Sequence, residues 1–427
     1  MRAGPSGHSM NKRVLLIAFH YPPMSRSSGV HRTRKFAQYL SEFGWDPLVL
    51  TIQPSAYEVS SDRSFVDSSG IVVKRAFGLD TAKHLSIGGR YFNFMAMPDR
   101  WISWWLGAVP AGMAMIRRHR PQIIFSTYPL ATAHLIGLSL HKLSGLPWVA
   151  DFRDPMTDGG YPTDPKRKRV YQWIEQKTVR RCAHAIFTTP DTRLMYSQRY
   201  PDIPANRWSV IANGYDEESF AEIEQKNPLR KADGNPRVLI HSGLLYRSER
   251  DPEPFFAALA ELREAQHISA QNLKIILRAS GEEKHYQQRL SDLGIADMVE
   301  LAGSIPYREA LQEMLTSDGL LLFQAANCNH QIPGKVYEYL RARRPVFALT
   351  DHAGNTASLL RESGIDTIAD IANKDDIKLG LMKFLGLLMR GESPIASEAA
   401  IAAHSRYART GELVKILNQV AEQHATT

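Results

Sequence analysis

Val14-Leu15-Leu16-Ile17-Ala18-Phe19 is followed by the turn-rich stretch HYPPMSRSSG (residues 20–29), a periodic segment over residues 30–43 and a second apolar run over 47–52. A continuous apolar run suits a strand buried on both faces. Phe36, Leu40 and Phe43 recur at helical spacing, and Gly44 supplies a stop. Strand, loop, helix and strand in this order predict a parallel pair with a crossover helix. The rest of the chain is read against this unit.

The pattern recurs on both sides of a break. Further strands are expected at 71–74, 122–126, 148–152, 185–188 and 209–212, while residues 54–69 read as a long loop. Residues 221–236 (AEIEQKNPLRKADGNP) are polar, carry two prolines and lack an apolar period, which marks a linker. A second series starts at Arg237-Val238-Leu239-Ile240, with strands expected at 273–277, 299–301, 319–323 and 345–349. Its helices are expected at 252–265, 284–293, 307–315 and 334–342, with a last helical stretch over 397–423. The division that follows is a leader at 1–10, one α/β domain at 11–220, the linker at 221–236, a second α/β domain at 237–400, and a C-terminal helix at 401–427 packing back on the first domain. Ligands of such sheets bind beyond the carboxyl ends of the strands, so two facing domains would enclose a cleft for two substrates.

A length of 427 residues fits two or three domains. The formal net charge of +8 favours anionic partners without choosing among nucleotide phosphates, lipid headgroups and nucleic acid. Only two cysteines occur, Cys182 and Cys328, with no metal-ligand spacing, as in a reducing compartment. No apolar stretch approaches the roughly 20 residues that span a bilayer. The first ten residues lack an apolar signal core and read as a disordered leader.

The segment richest in chemistry is Ile332-Pro333-Gly334-Lys335-Val336-Tyr337-Glu338-Tyr339-Leu340, which follows an apolar strand and a polar loop. Pro333 and Gly334 would open a helix, whose first amides and dipole suit a phosphate. Lys335 adds positive charge, and Glu338, three residues on, shares its face and can accept from ribose hydroxyls. An i,i+3 ion pair at an ordinary helix start fits the spacing equally well. Asp151-Phe152-Arg153-Asp154-Pro155 ends another strand. Two carboxylates flanking an arginine there point to chemistry more than to a turn. Arg153 cannot act as a base, whereas Asp151 or Asp154 can orient an acceptor hydroxyl and take its proton. Arg247 and Arg250 follow the strand ending at Ser242-Gly243, and arginine forks match phosphate oxygens. Glu249 and Asp251 would neutralise them in the competing reading.

IPGKVYEYLRARRPVFAL resembles the donor-binding segment of the family 4 glycosyltransferases. In that family a helix carries a glutamate on the nucleotide ribose, here matched by Glu338. The partner glutamate of the Glu-x7-Glu pattern falls on His330, a departure at the position that contacts the donor sugar. Residues 17–23 with Ser27-Ser28-Gly29 resemble the family's first strand and phosphate-proximal glycine loop. Asp151 to Pro155 resembles the D-F-R-D-P signature of a branch acting in polysaccharide or glycolipid assembly. His241 to Pro252 resembles the strand and loop that supply two basic residues to the diphosphate. Asn213-Gly214-Tyr215-Asp216 resembles an N-G-x-D segment at the hinge.

The resemblance implies a GT-B-like fold: two Rossmann-like parallel-sheet domains facing each other across a cleft. It implies a hexosyltransferase-like enzyme moving a sugar from a nucleotide diphosphate sugar to a saccharide or lipid-linked acceptor, with retention, in cell-surface polysaccharide or glycolipid synthesis. Donor contacts are expected at Gly29, Gly243, Arg247, Arg250, His330, Gly334, Lys335 and Glu338, and catalytic groups at Asp151, Arg153 and Asp154. The nucleotide sugar is a co-substrate, and no cofactor or metal is expected, since no D-x-D triplet or histidine cluster occurs. A non-catalytic, membrane-associated sugar-nucleotide-binding subunit and a sugar-nucleotide epimerase or hydrolase on the same fold stay open.

Basic and aromatic residues also cluster at Asp99 to Trp105, Arg117 to Arg120 and Lys166 to Trp173. They suit an anionic membrane surface, although the same tryptophans also suit a core. The expected location is cytoplasmic, peripheral on the inner face of the cell membrane. Nucleic acid is not expected as a partner, for want of any recognisable binding motif.

Overall fold

The computed structural model of the chain describes residues 12–24, 28–57, 70–226, 234 and 236–426. The expected leader, most of the 54–69 loop and residues 227–233 and 235 of the expected linker lie outside the described residues. The chain divides into two compact units, one formed by residues 1–212 with 406–427 and the other by 213–405.

The first unit is a seven-stranded sheet: β1 (Lys12–Ile17), β2 (Trp45–Ile52), β3 (Val72–Ala76), β4 (Ile123–Thr127), β5 (Trp148–Arg153), β6 (His184–Phe187) and β7 (Trp208–Val210). Every pairing is parallel, in the order β3-β2-β1-β4-β5-β6-β7. Its helices are α1 (Ser28–Leu40), α2 (Thr81–His84), α3 (Trp104–His119), α4 (Ala131–Ser144), α5 (Pro165–Arg181) and α6 (Pro190–Arg199). The strand order reverses between β1 and β4, the switch point at which such sheets bind ligands.

The apolar run at 14–19 is buried on two sides. Leu15 and Ile17 join one core cluster with Trp104, Ile136 and Trp148. Val14 and Leu16 join another, with Phe36, Phe125, Leu413 and Leu417. Each such side chain contributes about 1.5–3 kcal/mol when fully buried. The second face is closed by the far end of the chain, which re-enters this unit near Arg406. The stretch 397–423, expected as one helix, is interrupted at His404 and Ser405, which separate two helices, Glu398–Ala403 and Arg406–Ala425. In the longer one Leu413, Leu417 and Val420 enter the core, and Asn418 Oδ1 accepts from Lys12 Nζ at 2.8 Å and Trp45 Nε1 at 3.2 Å.

The second unit repeats the plan with β8 (Arg237–Ser242), β9 (Leu273–Arg278), β10 (Val299–Ala302), β11 (Gly319–Gln324), β12 (Val346–Thr350) and β13 (Ile368–Ala369). They pair in parallel in the order β10-β9-β8-β11-β12-β13. Helices α7 (Glu217–Lys226), α8 (Glu253–Glu264), α9 (Glu283–Asp292), α10 (Tyr307–Thr316), α11 (Gly334–Ala342), α12 (Asn355–Glu362) and α13 (Lys374–Arg390) surround it. The polar stretch expected to begin a linker at 221 is still α7 as far as Lys226. That helix buries Phe220 and Ile223, and Arg341 of α11 forks onto its Glu217 and Glu224. Polar composition concealed a helix whose partners are themselves charged.

Candidate functional site

In the second unit, the switch point lies between β8 and β11, and β8 ends at Ser242. Gly243 follows at φ 123°, where only glycine is at ease, and a Cβ there would lie 2.8 Å from Lys335 Nζ. Lys335 reaches across from the first turn of α11. Its ammonium donates to Ser242 O at 2.6 Å and lies 3.3 Å from His241 Nε2. His241 is fully buried, and its Nδ1 lies 2.9 Å from Leu321 O. That carbonyl can only accept, so Nδ1 carries the proton and Nε2 offers Lys335 a lone pair. Burial, then the charge of Lys335, holds the His241 ring well below the usual histidine range. Burial, then the nearby Arg250, pulls Lys335 down to about 7, against the opposing pull of Glu338.

Around this lysine are the features of an anion site. Pro333 caps α11 without any side-chain bond to its first amides, and a Cβ at Gly334 would meet nothing within 4 Å. Arg250 Nη1 donates to Leu244 O at 3.3 Å, its guanidinium covers the Tyr246 ring, and it forms no ion pair among the described residues. Lys335 and Glu338 do not form the i,i+3 ion pair their spacing allows. Glu338 instead accepts from Tyr307 Oη at 2.8 Å. Two cations without a carboxylate partner among the described residues thus share one strand-end rim with a helix start that no side chain caps. Nearby, the buried Gln324 Oε1 has no hydrogen-bond partner.

The structure separates the two expected arginines. Arg247 bonds His285 and lies 3.9 Å from Glu282. Glu249 and Asp251 neutralise neither arginine: Asp251 caps the Glu253 amide at 3.1 Å. His330 sits partly buried in the loop before α11, 3.3 Å from Gln331.

In the first unit the other expected residues meet at the end of β5. The strand irregularity between Asp151 and Arg153 turns Arg153 to φ 60°. A non-glycine residue held in this region is a strained one that its surroundings over-determine. Here Thr188 fixes the Arg153 carbonyl with its amide at 3.0 Å and its hydroxyl at 2.9 Å. The guanidinium is buried, donates to Tyr128 O at 3.3 Å, and keeps its Nε without a partner. Burial lowers its proton affinity, which Asp154 opposes and Arg32 reinforces. A Cβ on Gly29 would come within 2.7 Å of both Arg153 Nη1 and His20 Nδ1, so that glycine leaves room for both groups at the start of α1. Burial, then Arg153, takes His20 down to about 4, which leaves it neutral at pH 7.

Asp151 is engaged. Arg32 grips it in a fork, Nε to Oδ2 at 3.0 Å and Nη2 to Oδ1 at 2.9 Å, and Thr127 Oγ1 adds a bond at 2.8 Å. Arg32 and Asp151 are 3% and 0% exposed. This carboxylate, expected as a candidate base, holds α1 against the sheet. Asp154 is partly exposed and, among the described residues, accepts only a long 3.5 Å bond from Thr188. Sequence reasoning did not single out His20, His241 or Tyr307; the residue preceding the Ser242-Gly243 strand end was the one available signal for His241.

Residues 28–214 match the family described as "Glycosyl transferase 4-like domain". The whole chain resembles solved structures of low sequence identity. Sucrose-phosphate synthase from Thermosynechococcus elongatus is 13% identical with a TM-score of 0.66, over 97% of this chain and 100% of that one. A glycosyltransferase from Rickettsia africae is 11% identical with a TM-score of 0.65, over 96% and 98%. Anabaena HepE in complex with UDP-glucose is 15% identical with a TM-score of 0.59, over 97% and 100%. Comparison with curated protein sequences returns no match. At these identities the likeness establishes the fold: two parallel-sheet α/β domains of the GT-B type.

Proposed function

We propose that the chain is a glycosyltransferase that moves a sugar from a nucleoside diphosphate sugar to a hydroxyl of a saccharide or lipid-linked acceptor. The observation that carries this reading is Lys335, an ammonium without a carboxylate partner among the described residues, held beside Gly243 and Arg250 at the start of a helix that bears Glu338 one turn on. A diphosphate placed there would meet the third hydrogen of Lys335, the Arg250 fork and the first amides of α11. Glu338, oriented by Tyr307, would accept from the ribose. In the reaction the anomeric carbon–oxygen bond to the diphosphate breaks, and these cations stabilise the charge left on the departing oxygen. The resemblance further suggests retention of configuration and a pathway of cell-surface polysaccharide or glycolipid synthesis.

The acceptor belongs to the β5 end of the first unit. Arg153, buried with an unused N–H and backed by the start of α1, is suited to a negative group. Asp154 is the carboxylate of that strand end suited to receive the acceptor's proton. UDP-glucose, which the Anabaena protein binds, heads the panel of donors for calorimetry and for transfer assays with separated products. Binding with turnover onto an acceptor supports the proposal. Binding without turnover would make the chain a carrier, and product without acceptor a hydrolase or epimerase.

Two site predictions follow from the geometry. Glu338→Gln is expected to weaken donor binding about tenfold to a hundredfold, the size of one or two hydrogen bonds to a charged group. The same variant should bind a donor lacking a ribose hydroxyl no worse than wild type does. An equal further loss on removing that hydroxyl would reject the ribose contact. Arg250→Ala is expected to lose about tenfold or more in donor affinity, whereas Arg247→Ala, already paired outside the rim, stays within about threefold. Titration of both variants with one donor would reverse the assignment if Arg247→Ala were the weaker binder.

A further inference from the structure

Residues 77–120 present large apolar side chains to solvent from a firmly built platform. Ile87 is 89% exposed, Phe94 73%, Phe92 72%, Leu106 63% and Phe77 52%. Such a set is far more than the scattered exposed apolar residues of an ordinary surface. Gly88 and Gly89, both at positive φ, close a tight turn in which Ile87 and Arg90 exchange backbone bonds at 2.9 and 3.1 Å. Phe92 and Phe94 stack at 5.8 Å. The platform is tied together by Arg100 on Asp80, by Thr81 on Met95 O and Arg100 O, and by Ser103 on Leu79. The start of α3 lies directly against Phe77, whose carbonyl would be 2.2 Å from a Cβ on Gly107.

Helix α3 continues the surface. Trp104 to Ile116 contains no charged residue, yet Leu106, Pro110 and Ala114, four apart, are exposed along one stripe. A surface helix normally turns polar residues outward. The charges exposed here have one sign. Asp80 and Asp99 are the only acidic residues between 77 and 120, and both are buried and hydrogen-bonded. Lys83, Arg90, Arg117, Arg118 and Arg120 are exposed. Of the tryptophans in this stretch, Trp104 is fully buried and Trp101 donates its indole N–H to Ala56 O at 3.0 Å, while Trp105 is 37% exposed at the start of α3.

We infer that this face seats the protein on an anionic lipid bilayer. Ile87, Phe92, Phe94 and Leu106 enter the acyl boundary, and Arg90, Arg117 and Arg118 meet phosphate headgroups. Projecting apolar groups ringed by positive charge that no carboxylate pairs among the described residues match that interface in both chemistry and sign. The inference is independent of the transfer reaction, and its test reads lipid partition alone.

Cosedimentation of the full chain with vesicles of phosphatidylcholine, with and without phosphatidylglycerol, tests it. Binding is expected to the anionic vesicles and to fall about tenfold or more in Ile87→Ser/Phe92→Ser/Phe94→Ser, which should melt like wild type since all three are exposed. Arg117→Glu/Arg118→Glu is expected to bind anionic vesicles more weakly and neutral ones no differently. Absence of binding, equal partition into both vesicle types, or unchanged binding of the triple variant would overturn the proposal. So would concentration-dependent self-association that the triple variant abolishes without any lipid binding, since the face would then join copies of the chain.

Discussion

Lys335→Ala is expected to slow sugar transfer by about a hundredfold or more while leaving the chain folded. The magnitude is that of removing one preorganised group from a developing negative charge. The fold should not suffer, because the native state holds this ammonium in surroundings that disfavour its charge. With the folded value at about 7 and the unfolded one near 10.5, the folded chain binds fewer protons between those limits. Stability attributable to Lys335 therefore rises with pH across that window and is lowest below pH 7. The alanine variant should lack this rise, which urea titrations at pH 7 and pH 10 would read as a difference from wild type.

Donor binding should show the opposite trend. A nucleotide sugar keeps its two phosphate charges throughout this range, and binding would return the proton to Lys335. Affinity should thus be flat below pH 7 and fall by up to about tenfold per pH unit above it. Lys335→Arg, charged at every pH used, should remove the slope. Calorimetry that finds the wild-type slope retained in Lys335→Arg would exclude this lysine from the phosphate site.

Asp151→Asn is expected to destabilise the first unit by about 3–5 kcal/mol, because it leaves the buried Arg32 guanidinium without its counter-charge. For a unit of this size the melting point should drop by roughly 6–20 °C. Arg32→Met combined with Asp151→Leu should recover most of the loss, since a buried ion pair replaced by apolar groups is often nearly neutral. Thr127 Oγ1, which lies 3.1 Å from Tyr128 O, can turn its single hydrogen to that acceptor in the double variant. Recovery would remain incomplete because Ala212 O loses its bond from Arg32. Circular dichroism melts decide the matter. An Asp151→Asn protein that melts like wild type but cannot transfer sugar would restore the aspartate as a base.

The strands were readable wherever burial on both faces made them continuously apolar. Val14 to Ile17, Trp148 to Ala150 and Leu320 to Phe323 needed no neighbours to be recognised, because a strand covered by helices on both faces is built mainly of apolar residues pointing to either side. Helix α7 was missed because its apolar face is only Phe220 and Ile223, and its charged face is held by Arg341, 117 residues beyond Glu224. The break at His404 and Ser405 was missed for a related reason. It is tied by the Tyr215 amide donating to His404 O at 3.2 Å, a contact between segments far apart in the chain.

Residue types at strand ends could be read from sequence, but their assignments could not. Lys335, Glu338, Arg250 and Arg153 stood out by chemistry and spacing alone. Which arginine carries an uncompensated charge was decided by tertiary neighbours, which drew Arg247 to His285 and left Arg250 beside Lys335. Likewise Asp151 and Asp154 look interchangeable in a sequence. Only the folded sheet brings Arg32 and Thr127 to one of them and leaves the other partly exposed. The sequence determined that two parallel α/β sheets form, because local periodicity and burial are properties of short segments. Partnership and exposure of charged groups are properties of distant segments brought together, and those were decided by the tertiary structure.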